Sequence, residues 1–350
     1  MTSRYDADRD AWRSLLDAEP AYRVDQVWDG LYRQHVDLEN ITVLPKTLRT
    51  RLAEALPPSL SLVTERVSDN GDTVKQLWAL PDDRAIESVL MRYRDRVTVC
   101  VSTQAGCAMG CGFCATGQAG FDRHLTSGEI VEQVIRASQR LDLAGGGRVS
   151  NIVFMGMGEP LANYDNLWPA IVRLHDDVGI SARHLTVSTI GIVPGIKRLS
   201  TEQLPVNLAV SLHAANDELR SELVPINRRY PLTKLADACR DYLRAKNRRL
   251  SFEWALIDGV NDRASDAAEL AAYARQLRAH VNLIPLNATP GWPTRGTSAQ
   301  GVRAFRDRLV ELGVNATIRQ NRGTDIDAAC GQLRAAASNE VNVALTERAP

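Results

Sequence analysis

From about residue 96 onward the chain repeats one rhythm, a short apolar run followed by an amphipathic stretch. RVTVCVS, NIVFMG, HLTVSTI, VNLAVSLH, LSFEWALI and HVNLIPL have the length and composition of strands. GEIVEQVIRASQRL, NLWPAIVRLHDDV, KLADACRDYLRA, DAAELAAYARQLRA and GVRAFRDRLVELG lie between or after them and carry apolar residues at helical spacing. Thr126-Ser127-Gly128-Glu129 adds a capping box ahead of the first of these helices. Strands that alternate with helices pair through crossovers, so the pattern predicts an α/β fold with a parallel sheet, barrel-like or open. In such a fold functional groups collect at the C-terminal ends of the strands.

Upstream the pattern differs. DRDAWRSLLD, RVDQVWDGLYRQ and KTLRTRLAEAL read as helices, and Pro57-Pro58 ends them. SLVTERVSDNGDTVKQLWAL alternates around Asn70-Gly71, a hairpin signal, and AIESVLMRY continues as a strand. The expected division is a small helical region at 1–58, a hairpin extension at 59–95, an α/β core at 96–333 and a tail at 334–350. Lys+Arg and Asp+Glu both number 42, so any basic surface must be a local patch. No run approaches the roughly 18 apolar residues of a membrane span. The N-terminal stretch lacks the apolar region of a secretory signal. The expected location is the cytoplasm, where thiols stay reduced and clustered cysteines bind metal or do chemistry.

Four of the six cysteines fall within CVSTQAGCAMGCGFCATGQAGF. Cys107, Cys111 and Cys114 have the spacing C-x3-C-x2-C, in a loop whose glycines let the backbone curl. Structural zinc wants four ligands, usually in two separated pairs, and a ferredoxin-type cluster also wants four cysteines. Three cysteines on a 4Fe–4S cluster leave one iron open to a substrate or cofactor. This motif after the first core strand resembles the radical S-adenosylmethionine (AdoMet) superfamily. The resemblance implies a partial (β/α) barrel, with Cys107, Cys111 and Cys114 as cluster ligands and AdoMet chelating the open iron. It makes Gly158 and Glu159, in FMGMGEP, contacts of the AdoMet amino group, and the glycines there permit close backbone approach to a ligand. Ser188 in TVSTIG, Ser211-Leu212-His213 at the end of VNLAVSLH, and Asn287 after HVNLIPL match further AdoMet contacts. His213 is expected to be a neutral hydrogen-bonding group, because the six histidines show no ligand spacing.

Two cysteines remain to be placed in a reaction, Cys100 on the strand before the cluster loop and Cys330 in RGTDIDAACGQL. A lone buried cysteine is ordinarily inert, and Cys239 in KLADACRDYL reads as core. With SLHAANDELR and VPINRRY, however, these segments resemble the RlmN/Cfr family of RNA adenine methyltransferases, from about residue 85 to 333. The resemblance implies two AdoMet molecules per turnover. One methylates Cys330, and a radical derived from the other activates that methyl for addition to an adenine carbon. Cys100 then attacks the sulfur of Cys330 and releases the RNA, leaving a Cys100–Cys330 disulfide. Glu87 aligns with the family's proton acceptor. The implied substrates are one adenosine of 23S rRNA and adenosine 37 of tRNAs, methylated at carbon 2, with carbon 8 of the rRNA base as the alternative. A flavodoxin-type electron donor and a monomeric enzyme are expected. Arg92, Arg94, Arg96, Arg228, Arg229, Arg319 and Arg322 are candidate phosphate contacts, and the N-terminal helices a candidate RNA grip. A radical AdoMet enzyme for proteins or small molecules would not need Cys100 and Cys330. An iron–sulfur sensor that binds RNA would not consume AdoMet.

Overall fold

The computed structural model describes residues 3–287, 289 and 295–333; the expected tail at 334–350 lies outside the described residues. Three helices come first, α1 (Arg9–Leu15), α2 (Tyr22–Tyr32) and α3 (Lys46–Ala55). Strands β1 (Ser61–Ser68) and β2 (Thr73–Ala79) form the expected hairpin, with Asn70 and Gly71 both at positive φ in the turn. Strand β3 (Ala85–Arg92) pairs antiparallel with β2, and β4 (Val97–Cys100) antiparallel with β3. From β4 the sheet is parallel, through β7 (Asn151–Phe154), β8 (Leu185–Thr189), β9 (Asn207–Ser211), β10 (Leu250–Leu256), β11 (His280–Pro285) and β12 (Ala316–Ile318). Ten strands thus form one sheet in chain order, while β5 (Gln104–Gly106) and β6 (Phe121–His124) pair separately and bracket the cysteine loop.

The crossover helices are α5 (Ser127–Leu143), α6 (Tyr164–Asp176), α7 (Val193–Thr201), α8 (Asp217–Leu223), α9 (Leu232–Lys246), α10 (Ala264–Gln276) and α11 (Ala299–Glu311). The capping box forms as expected: Thr126 Oγ1 accepts from the Glu129 N–H, and Glu129 Oε2 accepts from the Thr126 N–H. Cys239 is fully buried in α9. The sequence pattern did not reveal α7, because Pro194 and Gly195 break its short apolar run, nor β12, which has only three residues. Gly195 is where α7 meets Leu161: a Cβ there would lie 2.7 Å from the Leu161 side chain.

Two appended pieces tie into this sheet. The N-terminal helices share its core through Trp12, Trp28 and Tyr32. Trp28 Nε1 donates to Asp177 (2.8 Å), and Asp6 accepts from the Gly128 N–H at the start of α5 (2.7 Å). At the other end, the segment after β12 turns back towards the β1–β2 hairpin. Asp69 accepts from the Gly323 N–H (3.1 Å), Arg322 pairs with Asp72 (3.6 Å), and Lys75 Nζ donates to the Asp327 carbonyl (3.2 Å). Its far end meets the cysteine loop, where the Ala115 N–H donates to the Gly331 carbonyl (2.8 Å) and Thr116 Oγ1 to the Leu333 carbonyl (2.6 Å). Among the described residues no helix is long and apolar enough to cross a membrane.

Candidate active site

The cysteine loop curls because its glycines allow it. Gly106 has φ +76, and a Cβ there would lie 2.1 Å from the Gly120 carbonyl oxygen. The Cys107 N–H donates to that same carbonyl (2.6 Å), which pins the start of the loop to the start of β6. Gly110 has φ +68 at the turn, and the Cys114 N–H donates to the Cys111 carbonyl (3.2 Å) as helix α4 (Ala115–Ala119) begins. All three thiols line one cavity. Burial pushes Cys107 up to about 12, and burial with the nearby Cys114 and Cys107 raises Cys111 further. Without a cation Cys107 and Cys111 therefore hold their protons, and a cationic centre is what would draw thiolates from them. Among the described residues no three His, Cys, Asp or Glu donors gather tightly enough to hold a single metal ion.

Gly158, Glu159, Ser188, Ser211, His213 and Asn287 line the same cavity. Glu159 is buried, and burial lifts its carboxyl to about 7, although it accepts from the N–H groups of Leu161 (3.0 Å) and Ile190 (2.8 Å). A buried carboxylate poised in this way suits an ammonium group. His213 has the left-handed φ of 61°, and its Nδ1 accepts from the Ala255 N–H (3.0 Å). Burial holds it neutral, down at about 3, so Nε2 carries the proton, in keeping with the expected hydrogen-bonding role. Its ring meets Phe113 of the cysteine loop edge-on at 4.8 Å.

One expectation changes. Leu212 does not line the cavity: its side chain is fully buried in the core, and its backbone bonds to Glu253 and Arg220. Gly156 and Gly158, which line the cavity, also let the turn pack closely against its own protein. Cβ atoms there would lie 2.7 Å from Val101 and 2.5 Å from Gln104.

Cys100 and Cys330, distant in sequence, line a second cavity together. Cys330, Met155, Ile284 and Arg319 form walls of both cavities. Burial and the neighbouring Cys330 push Cys100 up to about 12. Cys330 is also raised by its surroundings and is eased by Arg319, although its surface opens into the cavity. Both are free thiols, so the expected disulfide is not formed in this structure. Glu87 sits on β3, outside both cavity walls; it is buried and paired with Lys75 at 3.0 Å. The same Lys75 reaches the segment that carries Cys330.

Arg319, expected as a phosphate contact, instead turns inward. Its Nη1 lies 3.9 Å from Cys330 Sγ and 3.4 Å from the buried Glu253 carboxylate. Arg96 and Arg322 lie over the Tyr93 ring, 4.2 and 4.4 Å from its centroid, at the edge of the cavity. Arg94 is exposed and Arg92 half-buried on the same strand end, and Arg228 and Arg229 are exposed after β9, away from the cavities. Sequence reasoning missed Arg220. This guanidinium is fully buried and donates to the carbonyls of Ile190 (2.7 Å) and Leu212 (3.1 Å) and to Asn227 Oδ1 (2.7 Å), which ties the ends of β8 and β9 together. Its signal was present in DELR and INRR, but nothing local says that an arginine goes inside.

Residues 101–271 match the Radical SAM superfamily. The probable dual-specificity RNA methyltransferase RlmN of Chloroflexus aurantiacus is 50% identical over 344 residues, covering 94% of this chain and 92% of its own length. The dual-specificity RNA methyltransferase RlmN 1 of Myxococcus xanthus is 48% identical over 339 residues, with 95% and 94% covered. The chain belongs to the RlmN family. A crystal structure of a radical SAM methyltransferase from Sphaerobacter thermophilus is 50% identical to it, with a TM-score of 0.92 over 96% of this chain and 100% of that one. The likeness to RlmN therefore extends beyond the radical SAM core to the N-terminal helices and the segment that carries Cys330.

Proposed function

We propose that the chain methylates carbon 2 of one adenosine in 23S rRNA and of adenosine 37 in tRNAs, with Cys330 as methyl carrier and Cys100 as resolving thiol. The observation that carries this reading is the wall shared by the cluster cavity and the Cys100 cavity, with Cys330 in it. A 4Fe–4S cluster on Cys107, Cys111 and Cys114 would supply one-electron cleavage of AdoMet. Glu159 takes the AdoMet ammonium, and Gly158, Ser188, Ser211, neutral His213 and Asn287 surround the rest. Asn287 also donates to the Cys330 carbonyl (3.2 Å), so cofactor and carrier share one support.

Cys330 must lose its proton to accept a methyl by displacement. The guanidinium 3.9 Å from its sulfur favours the thiolate that burial opposes. Once the methyl carbon has joined the adenine and the carbon-2 proton has gone, Cys100 gives up its proton and attacks the Cys330 sulfur across their common cavity. The sulfur–carbon bond breaks, and the carbon keeps its electron pair and takes a proton to leave as the methyl of the product. The disulfide then belongs to turnover and not to the framework. Glu87 is the carboxylate we assign to the proton at carbon 2. It would have to leave Lys75 to act, and Glu87→Gln is expected to stop turnover after Cys330 has been methylated. We place the reaction in the cytoplasm, with the enzyme as a monomer and a flavodoxin-type protein as donor. Names for a dual-specificity RNA methyltransferase among the relatives favour the carbon-2 reading over carbon 8.

The test is to purify the protein with its cluster and weigh the peptide containing Cys330. One added methyl on Cys330, loss of RNA methylation in Cys330→Ala, and 2-methyladenosine in digested RNA are expected. An unmodified Cys330 after incubation with AdoMet overturns the carrier role, and 8-methyladenosine overturns the choice of carbon.

A further inference from the structure

The lumen of the parallel sheet is built differently at its two ends. Near the N-terminal ends of the strands its lining includes Asn151, Thr186, Asn207, Ser251, Asn282 and Thr317. A closed (β/α) barrel fills this layer with branched apolar side chains. Here the small polar groups leave a cavity of about 570 Å3. Its wall passes through Tyr93, Met155 and Arg319 into the cavity of Cys100 and Cys330. The polar cavity near the N-terminal ends of the strands and the cavity of the two thiols therefore adjoin, with these residues as their common wall.

That face is basic. Arg183 and Arg249 border the lumen, and Arg249 also borders an outer hollow with Arg248 and Arg278. Among the described residues none of these four is in an ion pair. Arg248 makes only a 3.3 Å bond to Asn207, and its buried Nε and the buried Nδ1 of His280 beside it have no hydrogen-bond partner. The N-terminal helical region contrasts with this. Residues 1–58 hold eight Lys+Arg against ten Asp+Glu, a net of −2. Half of those eight cations, Arg4, Arg9, Arg13 and Arg51, are paired with acids. On a chain of zero net charge, four guanidiniums outside ion pairs, two bordering the lumen and two the hollow beside it, form a local attraction for anions, and planar guanidiniums match phosphate oxygens in pairs.

We propose that RNA docks on this face, with backbone phosphates on Arg183, Arg248, Arg249 and Arg278, and that the target nucleotide enters the lumen from there to reach Cys330. The proposal rests on the reading of RNA as substrate. A base inside structured RNA must leave its stack to reach a buried carbon. A polar lumen lets its sugar and base edges keep hydrogen-bond partners on the way in.

The experiment uses the cluster-loaded full chain and a tRNA transcript. Affinity is measured against salt for Arg183→Ala, Arg249→Ala, Arg278→Ala and the triple variant, while Cys330 methylation, a half-reaction without RNA, is followed by mass. Each single change is expected to weaken binding a few-fold and to lower the salt slope by about one per lost phosphate contact. The triple variant is expected to lose RNA binding about a hundredfold or more, with Cys330 still methylated. Asn207→Phe, which narrows the lumen, is expected to keep RNA bound but unmethylated. An unchanged affinity and slope in the triple variant overturns the proposal. So does a larger loss in Arg228→Ala/Arg229→Ala, which would put the RNA on the connection after β9. If the unaltered protein neither binds tRNA nor methylates Cys330, the functional reading itself fails, a result distinct from either of these.

Discussion

The cluster side of the cavity comes from eight consecutive residues, Cys107 to Cys114, whereas the thiol side joins Cys100 on β4 to Cys330 beyond β12. The first is held by its own neighbourhood. Gly106 bends the chain, Gly120 closes the loop, and β5 pairs with β6 around it. The second has no local support. Cys330 stays in place because Asp69, Asp72 and Lys75 of the hairpin hold the returning segment, while Ala115 and Thr116 catch its end. A motif encoded in one loop survives wherever that loop folds. A pair made by sheet closure depends on residues that do no chemistry.

The largest expected effect separates the two sides. Cys111→Ala should purify without iron and without RNA methylation, yet keep the unfolding free energy of cluster-free wild-type protein within about 1 kcal/mol by urea titration, because the glycines and not the thiols shape the loop. Iron retained at the wild-type level would remove Cys111 from the ligand set. Next, Cys100→Ala should keep its iron and methylate Cys330 but stop after one encounter, leaving RNA joined to protein as a retarded band on a denaturing gel. Continued turnover would break the pairing of the two thiols.

A smaller effect tests Glu159. Burial lifts its folded pKa to about 7, against 4.5 for the free side chain. The folded state then holds the proton longer than the unfolded chain. In cofactor-free protein this contribution to stability is whole below about 4.5 and is lost as pH rises through 7, at about 1.4 kcal/mol per unit in between. Denaturation curves at several pH values should show the decline, and Glu159→Gln should remove it. The same change should weaken AdoMet binding about tenfold or more, the scale of one charge-assisted hydrogen bond. A variant with wild-type affinity would take the ammonium away from Glu159. Smallest of all, Thr126→Ala removes a helix cap far from either thiol set. It should cost about 1 kcal/mol by urea titration with iron content and Cys330 methylation unmoved. A loss of iron there would mean that the cysteine loop leans on α5 more than its own contacts indicate.

Strand–helix alternation foretold the parallel sheet, and Asn70-Gly71 the hairpin, because both signals arise from neighbouring residues. Helix α7 escaped notice for the same reason, since Pro194-Gly195 looks like a break until Leu161 is seen against it. Leu212 was grouped with the cofactor contacts, but its side chain is buried in the core, outside the cavity lining. Arg319 stood among surface arginines in the sequence, yet the turn after β12 aims it at Glu253 and Cys330.

By itself the sequence determined the order of elements, the three-cysteine loop and the polar groups at the strand ends, since spacing along a chain controls whatever forms within a turn or two. Only the tertiary structure decided what holds Cys330 between the two cavities, which arginines go inside, and which face of the sheet is left with unpaired charge. Those outcomes depend on the strand order of a ten-stranded sheet, where residues far apart in the chain meet because their backbones share hydrogen bonds with the same neighbours.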